Sequence, residues 1–514
     1  MSISGKSPVI ARAGSPGRRT RSPHGRLTAG IALPAIGVAV ALMVAIGVLG
    51  PSAAVATFPP APPWPPWFIH AHVSPVLTAI VSWLAVLIGG SGVAAGLVAV
   101  RRGWRPSPRL LISASVLAVI ALMLIPPTGS ADMLLYAGYG REAVLGYSPY
   151  TYFLAQLKLS GDPVGAIAGL GWLNAPSRYG PVATFTEEVA SRLAGISAAR
   201  AIFWLKVWNG LAYLALALTL DRLLRADASR RVRAHLLWSL NPLMLWAVMA
   251  GGHVDGLAAG VGAAALLAVD RTASRRAVLA GVLLGLAAMI KMPLALFGAG
   301  LAWAARRSPR ALAALGIGAA VVAVPCFLLA GRASITTGMG VATVRQVDYV
   351  PWYAVARVLH WQDPTARINA LGMISFLVLA VILLRRMPPG PGGFPAVRVG
   401  LALVLALLVV SPQQRSWYDP IIFLPLTLMP ASRLDWVVLI RAAAGALGDL
   451  PSLFPVKSDA SWLAETGRAA AAGIVPLVLF VAGAALLWLC FTNDWRIVAN
   501  PAINAKGHEI AAEL

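Results

Sequence analysis

Apolar residues run through this chain in long stretches, separated by junctions of two different compositions, and that alternation predicts an all-α bundle that crosses a membrane. The first stretch, residues 27–50, is long enough to span hydrocarbon as a helix and lacks a small-residue cleavage signal, so it is read as the first span. Counting stretches between junctions gives about 14 spans with both termini on one side, several of those in 236–305 being short for a full crossing. Pro242, Pro293, Pro325 and Pro420 fall at or near predicted span ends, where a broken helix is tolerated if its backbone lines a cavity.

One kind of junction is short and basic: Arg101 to Arg109, Arg222 to Arg233, Arg271 to Arg276, Arg306 to Arg310, Arg385 to Arg398, and the ends at Arg433 and Arg496. The rule that cytoplasmic loops carry excess Lys and Arg places these inside the cell. The other kind is rich in Trp, Tyr, Pro, Asp and His, at roughly 51–73, 128–199, 251–256, a turn at Lys291, 331–367, 411–420 and 455–470, and is placed outside. Within 128–199, the stretch holding Glu187, Glu188 and Arg192 reads as an amphipathic interfacial helix.

Composition agrees with this picture. Of 514 residues, 58% are apolar and 12% charged, with a mean hydropathy of +0.76, too little polar surface for a water-soluble globule. The net charge of +23 sits mostly in the basic junctions, so it reports topology and not a nucleic-acid partner. Cys326 and Cys490 lie in apolar stretches near opposite faces and imply no disulfide. The chain divides into a disordered basic cytoplasmic tail at 1–26, one integral membrane domain at 27–491 with 128–199 as its longest outer junction, and a C-terminal cytoplasmic tail at 492–514.

The outer junctions hold the candidate chemistry. Asp132 opens a stretch containing Tyr136 and Tyr139, and it suits either a helix N-cap or a reactive carboxylate, two roles that are compatible. Tyr179-Gly180-Pro181 is a turn that either anchors aromatics at the headgroup level or serves a site. Gly251-Gly252-His253-Val254-Asp255-Gly256 presents an imidazole and a carboxylate from a glycine turn, a pair that favours a polar site over a merely satisfied histidine. Two ligands are too few to argue a metal, and no cofactor is indicated, although a divalent ion is compatible. Lys291 either snorkels to the surface or meets an anion. Gln413 to Asp419, with Arg415, Trp417 and Tyr418, reads alone as an aromatic belt and in company as a sugar platform with a phosphate clamp.

Taken in order, the run Asp132 to Tyr150, the Tyr179-Gly180-Pro181 turn, Asn241-Pro242 through Gly256, Lys291-Met292-Pro293 and Trp417-Tyr418 resemble the polyprenol-phosphate-mannose-dependent alpha-(1,6)-mannosyltransferases of actinobacteria, membrane glycosyltransferases of the GT-C class. The resemblance covers roughly residues 110–430, with Gly-Ser-Ala-Asp before the first tyrosines and Val254 where the family more often has Asn. It implies transfer of mannose from a polyprenyl-phosphate donor to a lipid-linked mannan acceptor, outside the cytoplasm and with inversion. The lack of a Rossmann-type glycine fingerprint agrees with a donor that is not a nucleotide sugar.

On this reading Asp132 is the base, its pKa raised by partial desolvation, and Lys291 and Arg415 hold the donor phosphate with His253 assisting. Tyr136, Tyr139, Tyr179, Trp417 and Tyr418 contact sugars, and Asp255 orients His253 or binds the acceptor. Residues 58–68 and 331–367, with Tyr353, Arg357, His360 and Asp363, are candidates for an acceptor groove. A transferase of the same fold using another lipid-linked sugar, or a flippase of lipid-linked saccharides, are the alternatives. Polar groups at one boundary and the lack of a duplicated half favour the enzyme.

Overall fold

A computed structural model describes residues 23–495, apart from 59–68, 70, 72, 168–172, 269–273, 340–350, 363, 391–393, 413–414, 451–464 and 466–471. Most of both predicted tails, Asp363, Gln413, Gln414 and nearly all of the 58–68 and 455–470 junctions therefore lie outside the described residues.

Among the described residues the protein is all-helical and has no strands, as the pattern predicts. Six helices are long and apolar enough to cross a membrane, or seven if one sharply bent pair forms a single span. The expected count of about 14 is not confirmed; among the described residues, apolar stretches such as Pro108–Met123, Met292–Ala305 and Pro395–Val410 form shorter helices. Pro325 also departs from expectation, lying inside the helix Pro309–Met339.

The N-terminal half contains α1 (Pro23–Val48), α2 (Pro75–Arg101), α3 (Pro108–Met123), α4 (Asp132–Val144), α5 (Leu154–Leu159), α6 (Pro181–Ala194), α7 (Ala198–Leu223) and α8 (Ala228–Leu237). It continues with α9 (Pro242–Leu245), α10 (Asp255–Ala268), α11 (Ser274–Ile290) and α12 (Phe297–Ala305). The remaining helices that position the site are α16 (Pro395–Val410), α17 (Pro420–Leu428) and α18 (Leu434–Asp449), which follow α13 (Pro309–Met339), α14 (Pro351–Val358) and α15 (Pro364–Arg386). α1 pairs with α2, α4 with α6, α6 with α7, α10 with α11, and α12 with α16.

The expected amphipathic helix near Glu187 is α6, which begins at Pro181 directly after the Tyr179-Gly180 turn. It lies so close to α4 that a Cβ on Gly140 would sit 2.2 Å from the Glu187 carbonyl oxygen. This contact holds two helices together whose N-terminal ends both reach the candidate site.

The bend between α9 and α10 is built from local rules. Asn241 caps α9, its Oδ1 accepting from the Leu243 N–H at 3.1 Å, and Pro242 occupies the first turn, where a missing donor costs nothing. A π-helical turn, Trp246–Ala250, then widens the backbone. Gly252 adopts φ 76°, a left-handed value that glycine reaches without strain. The chain turns by 114° before α10 starts, and Asn209 of α7 donates to the Gly252 carbonyl at 3.1 Å to hold the turn. His253 and Asp255 project from that break.

Basic junctions far apart in sequence gather at one end of the bundle. Arg233 of α8 meets Asp435 at 2.5 Å, Arg230 donates to the Leu428 carbonyl at 2.7 Å, and Arg101 lies over the Trp436 ring at 5.0 Å. α18 runs from this basic end to Asp449 at the other, roughly 24 Å away at the helical rise of 1.5 Å per residue.

The α4/α6 contact is directly testable. Gly140→Ala should destabilise the protein by about 1–3 kcal/mol, because the new methyl meets backbone that cannot step aside. Gly316→Ala, which has open space around it, should leave the melting temperature of the purified protein unchanged.

Candidate active site

The turn after α3 delivers Asp132 to the first position of α4. It does not cap that helix, the cap position being Ala131 and the side chain making no cap hydrogen bond. Its carboxylate instead accepts from the Tyr179 hydroxyl at 3.2 Å and lies 3.3 Å from His253 Nδ1. Tyr136, one turn along α4, donates to the Tyr179 hydroxyl at 3.0 Å. A relay therefore runs from Tyr136 through Tyr179 to Asp132.

Asp255 is fully buried and forms an ion pair with Lys291, which stands at the end of α11. Removing either partner would strand a buried charge, which is strongly unfavourable. The Lys291 ammonium also lies 3.9 Å from the centre of the Tyr418 ring and 5.9 Å from that of Tyr179, distances at which a cation is attracted by an aromatic face. The Tyr179 turn is joined to the Lys291 turn by backbone: the Gly180 N–H donates to the Ile290 carbonyl at 3.1 Å. A Cβ at Gly180 would lie 2.0 Å from the Met289 oxygen, so only glycine fits.

The third part comes from the segment between α16 and α17. Trp417 stacks on His253 with centroids 4.1 Å apart and planes 9° from parallel, and Tyr418 meets Trp417 edge-on at 6.4 Å. Arg415 lies over Trp417 at 5.4 Å and pairs with Asp449 at 2.8 Å.

Nine of the ten residues singled out in the sequence thus form one connected cluster: Asp132, Tyr136, Tyr179, His253, Asp255, Lys291, Arg415, Trp417 and Tyr418. Tyr139 does not join it. Its hydroxyl donates to the Ala175 carbonyl at 3.3 Å, and its ring packs with Leu135, Leu154 and Leu157. Asp449, Asn209 and Asp419 complete the surroundings. Asp449 and Asn209 carried no local signal, because their roles depend on contacts with segments 33 to 43 residues away.

The expectation that desolvation raises the Asp132 pKa is overturned. Burial does push the carboxyl up, but the adjacent His253 imidazole and the charges of Lys291 and Arg415 outweigh it and hold the group below the ordinary carboxylate range. Burial, reinforced by the Asp132 charge, pushes the Tyr136 and Tyr179 phenols well up, so both remain proton donors. His253 Nδ1 faces the Asp132 carboxylate, while His253 Nε2 and Asp255 Oδ2 are buried and make no hydrogen bond within the protein, and such atoms suit a ligand rich in hydroxyl groups. Among the described residues, no three His, Cys, Asp or Glu side chains gather as a metal cage would require.

Residues 34–307 match the model of the alpha-(1->6)-mannopyranosyltransferase N-terminal domain, the MptA_B family. The chain belongs to this family. It is therefore a membrane glycosyltransferase of the mannosyl-transferring kind, acting between a sugar donor and a glycan acceptor. No curated protein matches it. The match contains Asp132, Tyr179, His253, Asp255 and Lys291 and ends before Arg415, Trp417, Tyr418 and Asp449.

Removing the central hydroxyl tests the relay. Tyr179→Phe should keep the ring under Lys291 but leave Tyr136 without its acceptor, lowering stability by about 0.5–1.5 kcal/mol. Gly180→Ala should lower the melting temperature further, since it collides with the Met289 backbone.

Proposed function

We propose that this mannosyltransferase takes mannose from a polyprenyl-phosphate donor and adds it, in alpha-(1,6) linkage, to a lipid-linked mannan acceptor at the extracytoplasmic face. The observation that carries the reading is Asp132, a carboxylate with Tyr179 and His253 in contact and the charges of Lys291 and Arg415 acting on it, in a chain of this family. A lipid phosphate presents its sugar near the headgroup plane, so the reacting groups must gather at one end of the bundle. The cluster lies away from the basic junctions, along the length of α18. The basic end then faces the cytoplasm, by the positive-inside rule.

In the reaction, an acceptor hydroxyl oxygen attacks the anomeric carbon while the bond from that carbon to the donor phosphate oxygen breaks. The acceptor proton passes to Asp132, and the departing phosphate takes the bonding electrons. Lys291 meets the growing phosphate charge as a compact cation and Arg415 as a planar fork. Tyr136, Tyr179, Trp417 and Tyr418 wall the sugar, and His253 and Asp255 offer hydrogen-bonding atoms to its hydroxyls.

The low pKa of Asp132 fits this scheme. His253, with Lys291 and Arg415, keeps the free enzyme's carboxylate ionised, and a bound phosphate offsets the charge of the two cations, so proton affinity rises once the donor is in place.

The purified protein in lipid nanodiscs, given labelled polyprenyl-phosphate mannose and a short mannan, should yield alpha-(1,6)-extended product. Lipid movement across a vesicle without transfer would instead indicate a flippase. Asp132→Asn should cut turnover by at least about 100-fold while the protein stays inserted. Because the free carboxyl titrates below its usual range, the acid limb of kcat/KM should lie lower in pH than that of kcat. Lys291→Met should move the kcat/KM limb upward toward neutrality. An unmoved limb would remove Asp132 from the role of base.

A further inference from the structure

α18 grips the segment Arg415–Asp419 at both ends. At its C-terminal end, the buried Asp449 carboxylate accepts from Arg415 Nη1 at 2.8 Å, from the Ser416 backbone N–H at 2.8 Å and from the Ser416 hydroxyl at 2.7 Å. Two turns earlier, Arg441 pairs with Asp419 and donates to the Leu408 carbonyl at 3.1 Å. Trp417 and Tyr418 lie between the two grips, Trp417 against His253 and Tyr418 under Lys291.

The residue after Asp449 reaches the other wall of the site. A Cβ on Gly129, three residues before Asp132, would meet the Leu450 side chain at 2.8 Å. The Leu450 carbonyl is fixed by Trp83 Nε1 at 3.0 Å. The end of α18 therefore touches both the segment that carries the arginine and the turn that carries the carboxylate.

We infer that Asp449 is a positioning residue of the transfer site: through Arg415 and Ser416 it sets where the guanidinium and the Trp417 face stand relative to His253. It does not touch substrate. Three charge-assisted hydrogen bonds accepted by one buried carboxylate fix the direction of Arg415 and the height of the aromatic step, and such bonds are about twice as strong as neutral ones. The inference deepens the donor-phosphate reading, on which its kinetic consequence rests.

A double-mutant cycle on the full-length protein separates positioning from general structural support. Asp449→Asn should raise the donor KM about tenfold with kcat within about threefold, and Arg415→Gln should do the same. The double variant should be about threefold worse than Arg415→Gln alone and well short of a further tenfold, because only the Ser416 contacts remain for Asp449 to lose. Effects that multiply would overturn the inference, as would a fall in kcat with KM unmoved. Should Asp449→Asn fail to fold, Ser416→Ala removes a single contact and should still raise the donor KM about threefold. An unchanged KM there counts against the inference.

A donor-independent measurement keeps this distinct from the transfer reading. In hydroxyl-radical footprinting, Asp449→Asn, or Ser416→Ala if it alone folds, should increase oxidation of Trp417, 4% exposed in the native protein, about threefold or more while Trp246 stays unchanged. Unaltered Trp417 oxidation overturns the positioning role. A footprint change in the variant, with wild-type protein that does not use the donor, would sink the proposed function instead.

Discussion

Burying a carboxylate in an apolar helical bundle is costly unless a counter-charge comes with it, and the whole site follows from how that cost is met at Asp255. Its partner is Lys291, brought by the end of α11 to the start of α10. Once that pair is fixed, the lysine head lies over the Tyr418 ring and near that of Tyr179, and the rest of the cluster has a centre to assemble around. Asp132 shares the same field. It keeps its charge because histidine, lysine and arginine face it, despite the burial that works the other way.

Much of this was legible along the chain. Long apolar stretches announced an all-helical membrane protein, and residues that hydropathy does not require, such as Lys291 in an apolar hairpin, marked chemistry. His253 and Asp255 were visible because two glycines and a proline broke the helix around them. The span count was less legible, since an apolar stretch of a dozen residues looks the same whether it crosses a bilayer or folds as half of a bent pair. The pKa direction of Asp132 was not legible either. It depends on the sum of charges from α10, α11 and the segment before α17, which sequence spacing does not give. Tyr139 illustrates the same gap: one turn after Tyr136 on α4, it serves the packing with α5.

The site is assembled from both parts of the chain. The matched residues 34–307 supply the two carboxylates, the imidazole and the lysine, while the aromatic step and the arginine come from beyond it and depend on α18. The proposed base and the Trp417 face are thus held by different helices.

The backbone contact between Gly180 and Met289 has a mechanical consequence. The Tyr179 and Lys291 turns are fused main chain to main chain and must travel as a single rigid block, so no hinge can lie between them. Breathing that admits a sugar donor is expected on the opposite lip, where Trp417 and Tyr418 are secured largely through side chains.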